Sequence, residues 1–199
     1  YLITSQGEVS LKVFGEHNLQ NIAGAKNICN ELEVSDEAFY KAISTFEGAA
    51  NRLQLLGQNE HTVVYKDFAH SPSKLRATVQ AVKQQFKERE LVAVMELHTF
   101  SSLNSDFLAE YEGTMDAADV PVVFLDKDTF AHKGMEMIDP GYVKECFANA
   151  QLQVFTDKQS LEAYLTHMHW KNKSLLLMSS GNFAGMDLAA LANGALATS

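Results

Sequence analysis

The chain has 199 residues, 46% of them hydrophobic and 21% charged, the composition of a globular protein able to bury a core. Its net charge of −9 argues against non-specific binding to nucleic acid or to an anionic membrane surface. No apolar run approaches the ~20 residues a transmembrane helix needs, and no basic-then-apolar leader opens the chain.

Residues 1–14 alternate loosely and read as strands Tyr1–Thr4 and Val9–Phe14, with Gln6-Gly7 as a hairpin turn. Two strands alone make no stable sheet, and the chain starts on Tyr1 rather than Met, so this reads as the tail of a sheet cut from a longer protein. Gly15-Glu16-His17-Asn18-Leu19-Gln20-Asn21 then leads into a helical stripe, Ile22, Ala25, Cys29 and Leu32. Ser35 is placed to cap a second helix through Phe39, Ala42 and Ile43, with Asp36 and Glu37 in its first turn. The irregular stretch Phe46–Arg52 marks a domain boundary near residue 45.

From Leu53 the pattern becomes strand, helix, strand, helix. Leu53–Leu56 pairs with His61–Phe68 across Gly57-Gln58-Asn59, and a helix over 72–88 follows. Ser71 suits its N-cap and Pro72 its first turn, where a missing N–H costs nothing. Leu91–Leu97 is a buried-type strand, and a helix from about Ser105 carries Phe107, Leu108, Tyr111 and Met115. Pro121–Leu125 is a strand, Asp139-Pro140 opens a helix, Leu152–Phe155 is a strand and Asp157 caps a helix. Ser174–Met178 is a buried strand and a last helix runs from about Ala184 to Ala195. All three prolines sit at element starts. Such alternation predicts an α/β fold, a Rossmann-like, mostly parallel sheet with helices on both faces. The two cysteines, Cys29 and Cys146, fall on apolar helical faces and read as buried free thiols of a cytoplasmic protein.

In a parallel sheet the loops after the strands share one rim, where ligands bind. Three such loops are polar: Asp67–Ser71, His98–Asn104 and Ser179–Phe183. They offer hydroxyls, amides and imidazoles with few charges, a hydrogen-bonding surface more than a hydrolytic centre. Asp67 is placed to accept from a ribose hydroxyl or to help cap the next helix. His70 and His98 read as ligand contacts or as ordinary histidines, and Ser179-Ser180-Gly181-Asn182 as an anion cradle or a plain turn. His17 and Asn18 suit a contact or a helix start. His167 and His169 face different sides, against a metal site, and Asp116, Asp119, Asp126 and Asp128 read as solvated surface. No phosphate-binding G-x-x-x-x-G-K-[ST], no dinucleotide glycine fingerprint, no C-x-x-C, no H-E-x-x-H and no G-x-S-x-G occurs, so the chain holds no self-contained phosphate-transfer or hydrolase centre.

Four ordered segments resemble the Mur ligases, ATP-dependent enzymes that add amino acids or peptides to UDP-N-acetylmuramate. Gly15–Asn21 resembles the G-x-H-N-x-x-N that ends their central ATPase domain, and Phe46–Arg52 their F-x-G-x-x-x-R link. Asp67–Pro72 resembles D-[YF]-[AG]-H-x-P, and Leu91–Asn104 with Met178–Met186 the substrate-facing loops. The resemblance implies that residues 1–45 are the tail of the ATPase domain and 46–199 the C-terminal domain. It implies ATP contacts from His17, Asn18, Asn21, Arg52, Asp67 and His70. His98, Ser101, Ser102, Asn104, Ser180 and Asn182 would face the incoming amine substrate. The P-loop, the magnesium ligands and the UDP-sugar domain are expected outside this chain, which should not catalyse alone. The His98–Asn104 loop lacks the arginines found there in the L-alanine-adding ligase, and the Ser180–Phe183 loop is also unlike that enzyme's. Both look more like the recycling ligase that attaches L-alanyl-γ-D-glutamyl-meso-diaminopimelate to UDP-N-acetylmuramate. Ser71 stands where a second histidine is common, so that position's role is lost here. A non-catalytic nucleotide- or peptide-binding module is the rival, and the missing glycine fingerprint makes a flavin or nicotinamide domain a poor fit.

Overall fold

The computed structural model describes residues 1–4 and 7–198. They form two compact units, Tyr1–Ala50 and Asn51–Ser199.

In the first unit β1 (Leu2–Thr4) pairs antiparallel with β2 (Gly7–Val9), Ile3 opposite Glu8. The second strand is therefore Gly7–Val9, not Val9–Phe14. Part of the expected turn, Gln6, lies outside the described residues. α1 (Glu16–Glu31) follows Gly15, whose φ of 91° favours glycine. α2 (Asp36–Ile43) starts at Ser35, whose hydroxyl accepts from Ala38 N. Of the α1 stripe only Ile22 is buried. Ala25 and Leu32 are exposed and Cys29 is half-buried.

The second unit is built on a six-stranded sheet in the order β3-β4-β8-β5-β6-β7. The strands are β3 (Gln54–Gln58), β4 (Thr62–Asp67), β5 (Glu90–Glu96), β6 (Val120–Phe124), β7 (Gln153–Phe155) and β8 (Lys173–Met178). Only β3 is antiparallel, joined to β4 with a bulge between Leu55 and Gly57. The β4, β8, β5, β6 and β7 pairings are all parallel. This is the expected Rossmann-like fold. Strands buried on both faces read as unbroken apolar runs, as Leu91–Met95 does.

One face packs against α7 (Lys158–Thr166) and α8 (Leu188–Ala197): Val64, Val92, Val94, Leu175 and Leu177 meet Leu161, Leu165, Leu191 and Ala195. On the other face α3 (Pro72–Gln85) buries Leu75, Val79 and Val82. The remaining helices are α4 (Ser105–Leu108), α5 (Lys127–Lys133) and α6 (Pro140–Phe147). No described helix is long and apolar enough to cross a membrane.

Several local expectations are corrected. The helix from Ser105 stops at Leu108 and continues as one 3-10 turn, Ala109–Tyr111, because the chain turns at Gly113 with φ 64°. Asp126 is not solvated surface: it is 7% exposed and its carboxylate caps α5 through Thr129 N and Oγ1. Asp116, Asp119 and Asp128 are exposed as expected, and Asp119 also accepts from Leu91 N and pairs with Lys83. Ser71 sits at the α3 N-cap, but its side chain makes no capping bond there. The last helix begins at Leu188, capped by Asp187, after a 3-10 turn at Phe183–Gly185. Both cysteines are free, but half-buried rather than buried.

Ser174 lies in β8 between β4 and β5, is 1% exposed, and its hydroxyl has no partner. A buried unpaired hydroxyl costs desolvation and returns nothing. Ser174→Ala is therefore expected to leave stability unchanged or raise it by up to about 1 kcal/mol. Urea unfolding followed by the fluorescence of Trp170, the sole tryptophan, measures this.

Candidate functional site

Because β4, β8, β5, β6 and β7 run parallel, the loops leaving their carboxyl ends line one rim of the sheet. In sheet order these are Phe68–Ser71, Ser179–Asn182, Leu97–Asn104, Leu125–Asp126 and Thr156–Asp157. Ser179 N donates to Asp67 O at 3.0 Å, and Leu97 N to Phe124 O at 2.9 Å, so the pairing carries on past the strands.

Asp67 closes β4 and is 3% exposed. Its Oδ2 accepts from Leu53 N at 2.7 Å, and its Oδ1 from Ala69 N at 2.7 Å and Thr78 Oγ1 at 3.5 Å. The carboxylate thus ties the residues before β3 to the start of α3. Asn51 and Leu53, on either side of Arg52, both have positive φ, 57° and 42°. For residues with a Cβ this is costly backbone, and Asp67 holds it.

Arg52 emerges from that bend with its guanidinium 5.6 Å from the Phe68 ring centre. Phe68 meets His70 edge to face at 5.1 Å. His70 Nδ1 lies 2.9 Å from Phe68 O, and Tyr111 Oη donates to His70 O at 2.5 Å. Burial pushes the Tyr111 phenol up, so the hydroxyl stays a donor. Arg52 has no acidic partner among the described residues, which leaves an exposed, oriented cation for an anionic ligand group.

The second cluster joins the ends of β5 and β8. Glu96 is 1% exposed and its Oε2 accepts from Ser179 Oγ and, at 2.9 Å, from Phe183 N. Ser179 Oγ in turn accepts from Gly181 N at 2.7 Å. A Cβ on Gly181 would lie 2.7 Å from His98 Cγ and 2.9 Å from Glu96 Oε2, so only glycine lets the loop approach this closely. Phe183 and Ala184 take left-handed φ of 52° and 53°. The Glu96 bond and the stacking of Phe183 on Phe124, centres 6.4 Å apart, hold that bend in place. Glu96 Oε1, His98 Nδ1 and Ser180 Oγ are enclosed and have no hydrogen-bond partner.

The other expected rim residues divide by role. Ser102 is buried and bonded to Thr99, while Ser101 is exposed. Asn104 caps α4 through Asp106 N and Asn182 caps the 3-10 turn through Gly185 N. Phe100 is exposed with Lys133 Nζ 4.0 Å from its ring centre, which brings a cation to a loop that has none of its own. In the first unit, Asn18 Nδ2 donates to Phe14 O at 2.7 Å; His17 is half-buried and Asn21 exposed, both in the opening turns of α1. Glu96 escaped the sequence reading as a site residue, and Ser179, read there as part of an anion cradle or a plain turn, instead donates its hydroxyl to Glu96. The signal for Glu96 was a lone acid closing a buried apolar strand, which must find partners. Among the described residues no group of three or more His, Cys, Asp or Glu is arranged to hold a metal ion.

Residues 51–181 match the family model for the Mur ligase, glutamate ligase domain. The UDP-N-acetylmuramate–L-alanine ligase of Desulfitobacterium hafniense is 33% identical over 120 residues, 60% of this chain and 26% of that protein. A UDP-N-acetylmuramate–alanine ligase structure from Thermotoga maritima superposes with a TM-score of 0.69 at 19% identity, covering 88% of this chain and 37% of that one. A murein peptide ligase structure from Psychrobacter arcticus does so with a TM-score of 0.61 at 24% identity, covering 94% and 38%. The chain therefore spans between a quarter and two fifths of the length of these proteins. With the family model covering most of its second unit and the parallel sheet and rim loops in place, the chain belongs to the Mur ligase family and carries its C-terminal domain.

Proposed function

We propose that this chain is the C-terminal part of an ATP-dependent, cytoplasmic ligase that joins an amine to the carboxylate of UDP-N-acetylmuramate. ATP phosphorylates the carboxylate and ADP leaves. The amine nitrogen then bonds to the acyl carbon, the carbon–oxygen bond to phosphate breaks, phosphate departs with the electron pair, and the nitrogen loses a proton. Residues 1–45 are, on this reading, the end of the ATP-holding domain, with His17, Asn18 and Asn21 assigned to the adenine. In the second unit Arg52 and His70 are assigned to the ribose and phosphates, and Asp67 serves them by holding the bend that carries Arg52. The observation that carries the ATP assignment is the Arg52 guanidinium, oriented over Phe68 and unpaired with acid among the described residues. Magnesium neutralises phosphate charge in such reactions. The described residues offer no cluster to hold it, and no step is drawn through it.

For the incoming substrate we favour the L-alanyl-γ-D-glutamyl-meso-diaminopimelate tripeptide of peptidoglycan recycling. His98, Ser101, Ser102, Asn104, Ser180 and Asn182 are the residues assigned to it. What supports the choice is a rim of neutral hydrogen-bonding groups without arginine in either loop. The second reading, L-alanine, is favoured by the names of relatives such as the Desulfitobacterium enzyme.

The test is ADP release by the longer protein that contains this chain, given UDP-N-acetylmuramate with tripeptide or with L-alanine. Turnover with tripeptide supports the first reading, turnover with L-alanine alone the second, and none with either overturns the ligase. Arg52→Ala is expected to raise KM for ATP by about 10-fold or more, the loss of a charge-assisted hydrogen bond. An unchanged KM would take Arg52 out of the ATP site, and nucleotide binding without any ADP release would favour a module that binds without catalysing.

A further inference from the structure

Glu96 differs from Asp67 in one respect. Both Asp67 oxygens are bonded, whereas only Oε2 of Glu96 is, to Ser179 and Phe183. Its Oε1 is enclosed without a hydrogen-bond partner and lies 3.8 Å from His98 Nδ1, which is enclosed and unpartnered too. A separation of 3.8 Å is not a hydrogen bond, but a small turn of the imidazole makes it one. Catalytic hydrogen bonds are commonly long before substrate arrives. Gly181, packed against His98 Cγ and Glu96 Oε2, closes the other side and confines the ring. The His98 side chain is 35% exposed although Nδ1 is buried, so its exposure falls on the rest of the side chain.

We propose that Glu96 is the positioning residue of His98. Its Oε1 takes the Nδ1–H, which fixes the tautomer with a bare Nε2 at the rim, and Nε2 receives the proton of the incoming amine. Which nitrogen of an imidazole is protonated is set by the partner of the other one. The identity of the proton donor rests on the ligase reading. The Glu96–His98 arrangement does not. When the amine nitrogen bonds to the acyl carbon and phosphate leaves with its electron pair, the proton shed by nitrogen passes to Nε2.

The tautomer can be read without any turnover. In the chain labelled with nitrogen-15 at histidine, long-range proton–nitrogen NMR of the neutral imidazole is expected to show His98 protonated on Nδ1. In Glu96→Gln the side-chain oxygen keeps the Ser179 hydroxyl and the Phe183 N–H, and its NH2 then faces Nδ1 as a donor. The His98 proton is expected to move to Nε2. A wild-type His98 protonated on Nε2 overturns the proposal even if the variant fails to fold, as does a folded variant with an unchanged tautomer. In the longer protein Glu96→Gln is expected to lower kcat about 100-fold, within the range of general acid–base catalysis, and to leave KM for ATP unchanged. His98→Ala should lower it as much, and the double variant no further, because the two act as a unit. An unchanged kcat in Glu96→Gln also overturns the proposal. If the tautomers come out as expected but the wild-type protein forms no ADP, the ligase reading fails and the proton-accepting role falls with it, while Glu96 stays the positioner of His98.

Discussion

Asp67→Ala is expected to destabilise the Asn51–Ser199 unit by about 3 kcal/mol, since each buried donor left unsatisfied costs about 1–3 kcal/mol. Two such donors are involved, Leu53 N and Ala69 N, both 2.7 Å from the carboxylate, and Thr78 Oγ1 loses its acceptor as well. Leu53 also holds a φ of 42°, and without Asp67 that bend keeps only the Phe68 N to Asn51 O bond at 2.8 Å and the Asn51 N to Gln54 Oε1 bond at 3.3 Å. Asp67→Asn keeps one oxygen but turns an NH2 toward one of the two donors, so an intermediate loss of about 1–2 kcal/mol is expected. Urea unfolding followed by Trp170 fluorescence reports this unit alone, because the tryptophan lies within it. If Asp67 were only a ligand contact, unfolding midpoints would stay at the wild-type value and nucleotide affinity alone would fall. Both effects follow if the carboxylate acts on the nucleotide by positioning Arg52.

The parallel sheet was legible because its strands advertise themselves. Leu91–Met95 and Leu175–Met178 are apolar runs too short for helices, and caps at Asp139, Asp157 and Ser35 mark the helix starts. What escaped is equally physical. α5 buries only Phe130, so it carries no apolar period to read. Its frame was nevertheless there in Asp126, capping at one end, and Gly134, left-handed with φ 62° at the other. The α1 stripe misled because apolar spacing was taken as burial, yet Ala25 is exposed and Leu32 is 70% exposed.

The site was legible by position but not by role. Strand ends placed Asp67, His98 and Ser180 on one rim, because parallel topology alone decides that. Spacing does not reveal that Asp67 spends its carboxylate on its own backbone, or that Glu96 reaches Ser179 and Phe183, residues more than eighty positions away. Nor does it show that Arg52 is aimed by two left-handed neighbours, since nothing in Asn51 or Leu53 as residue types requires that backbone.

Trp170→Ala is expected to cost about 3–5 kcal/mol, the usual loss when a large aromatic leaves a packed core. At this unit's size that corresponds to a Tm lower by roughly 10 °C or more. Trp170 is 1% exposed and packs into the cluster that joins β4, β5, β6 and β8 to α7 and α8. Its Nε1 donates to Leu165 O at 3.1 Å, at the end of α7, and its carbonyl accepts from Thr62 Oγ1 at 2.6 Å, where β4 begins. One residue therefore fixes the far end of the sheet from the rim. Trp170→Phe keeps an aromatic body but loses volume and the indole N–H, so a smaller loss is expected, of order 1–2 kcal/mol. The Thr62 bond goes to the backbone carbonyl and formally survives in Trp170→Ala. If the indole holds that carbonyl in place, Thr62→Val should cost less in the alanine background than in wild type. A coupling energy above about 0.5 kcal/mol in the double-mutant cycle, measured by circular dichroism, would show it. Strict additivity would mean that the carbonyl is fixed by the turn into β8 instead, where Lys173 N donates to the same oxygen at 3.1 Å.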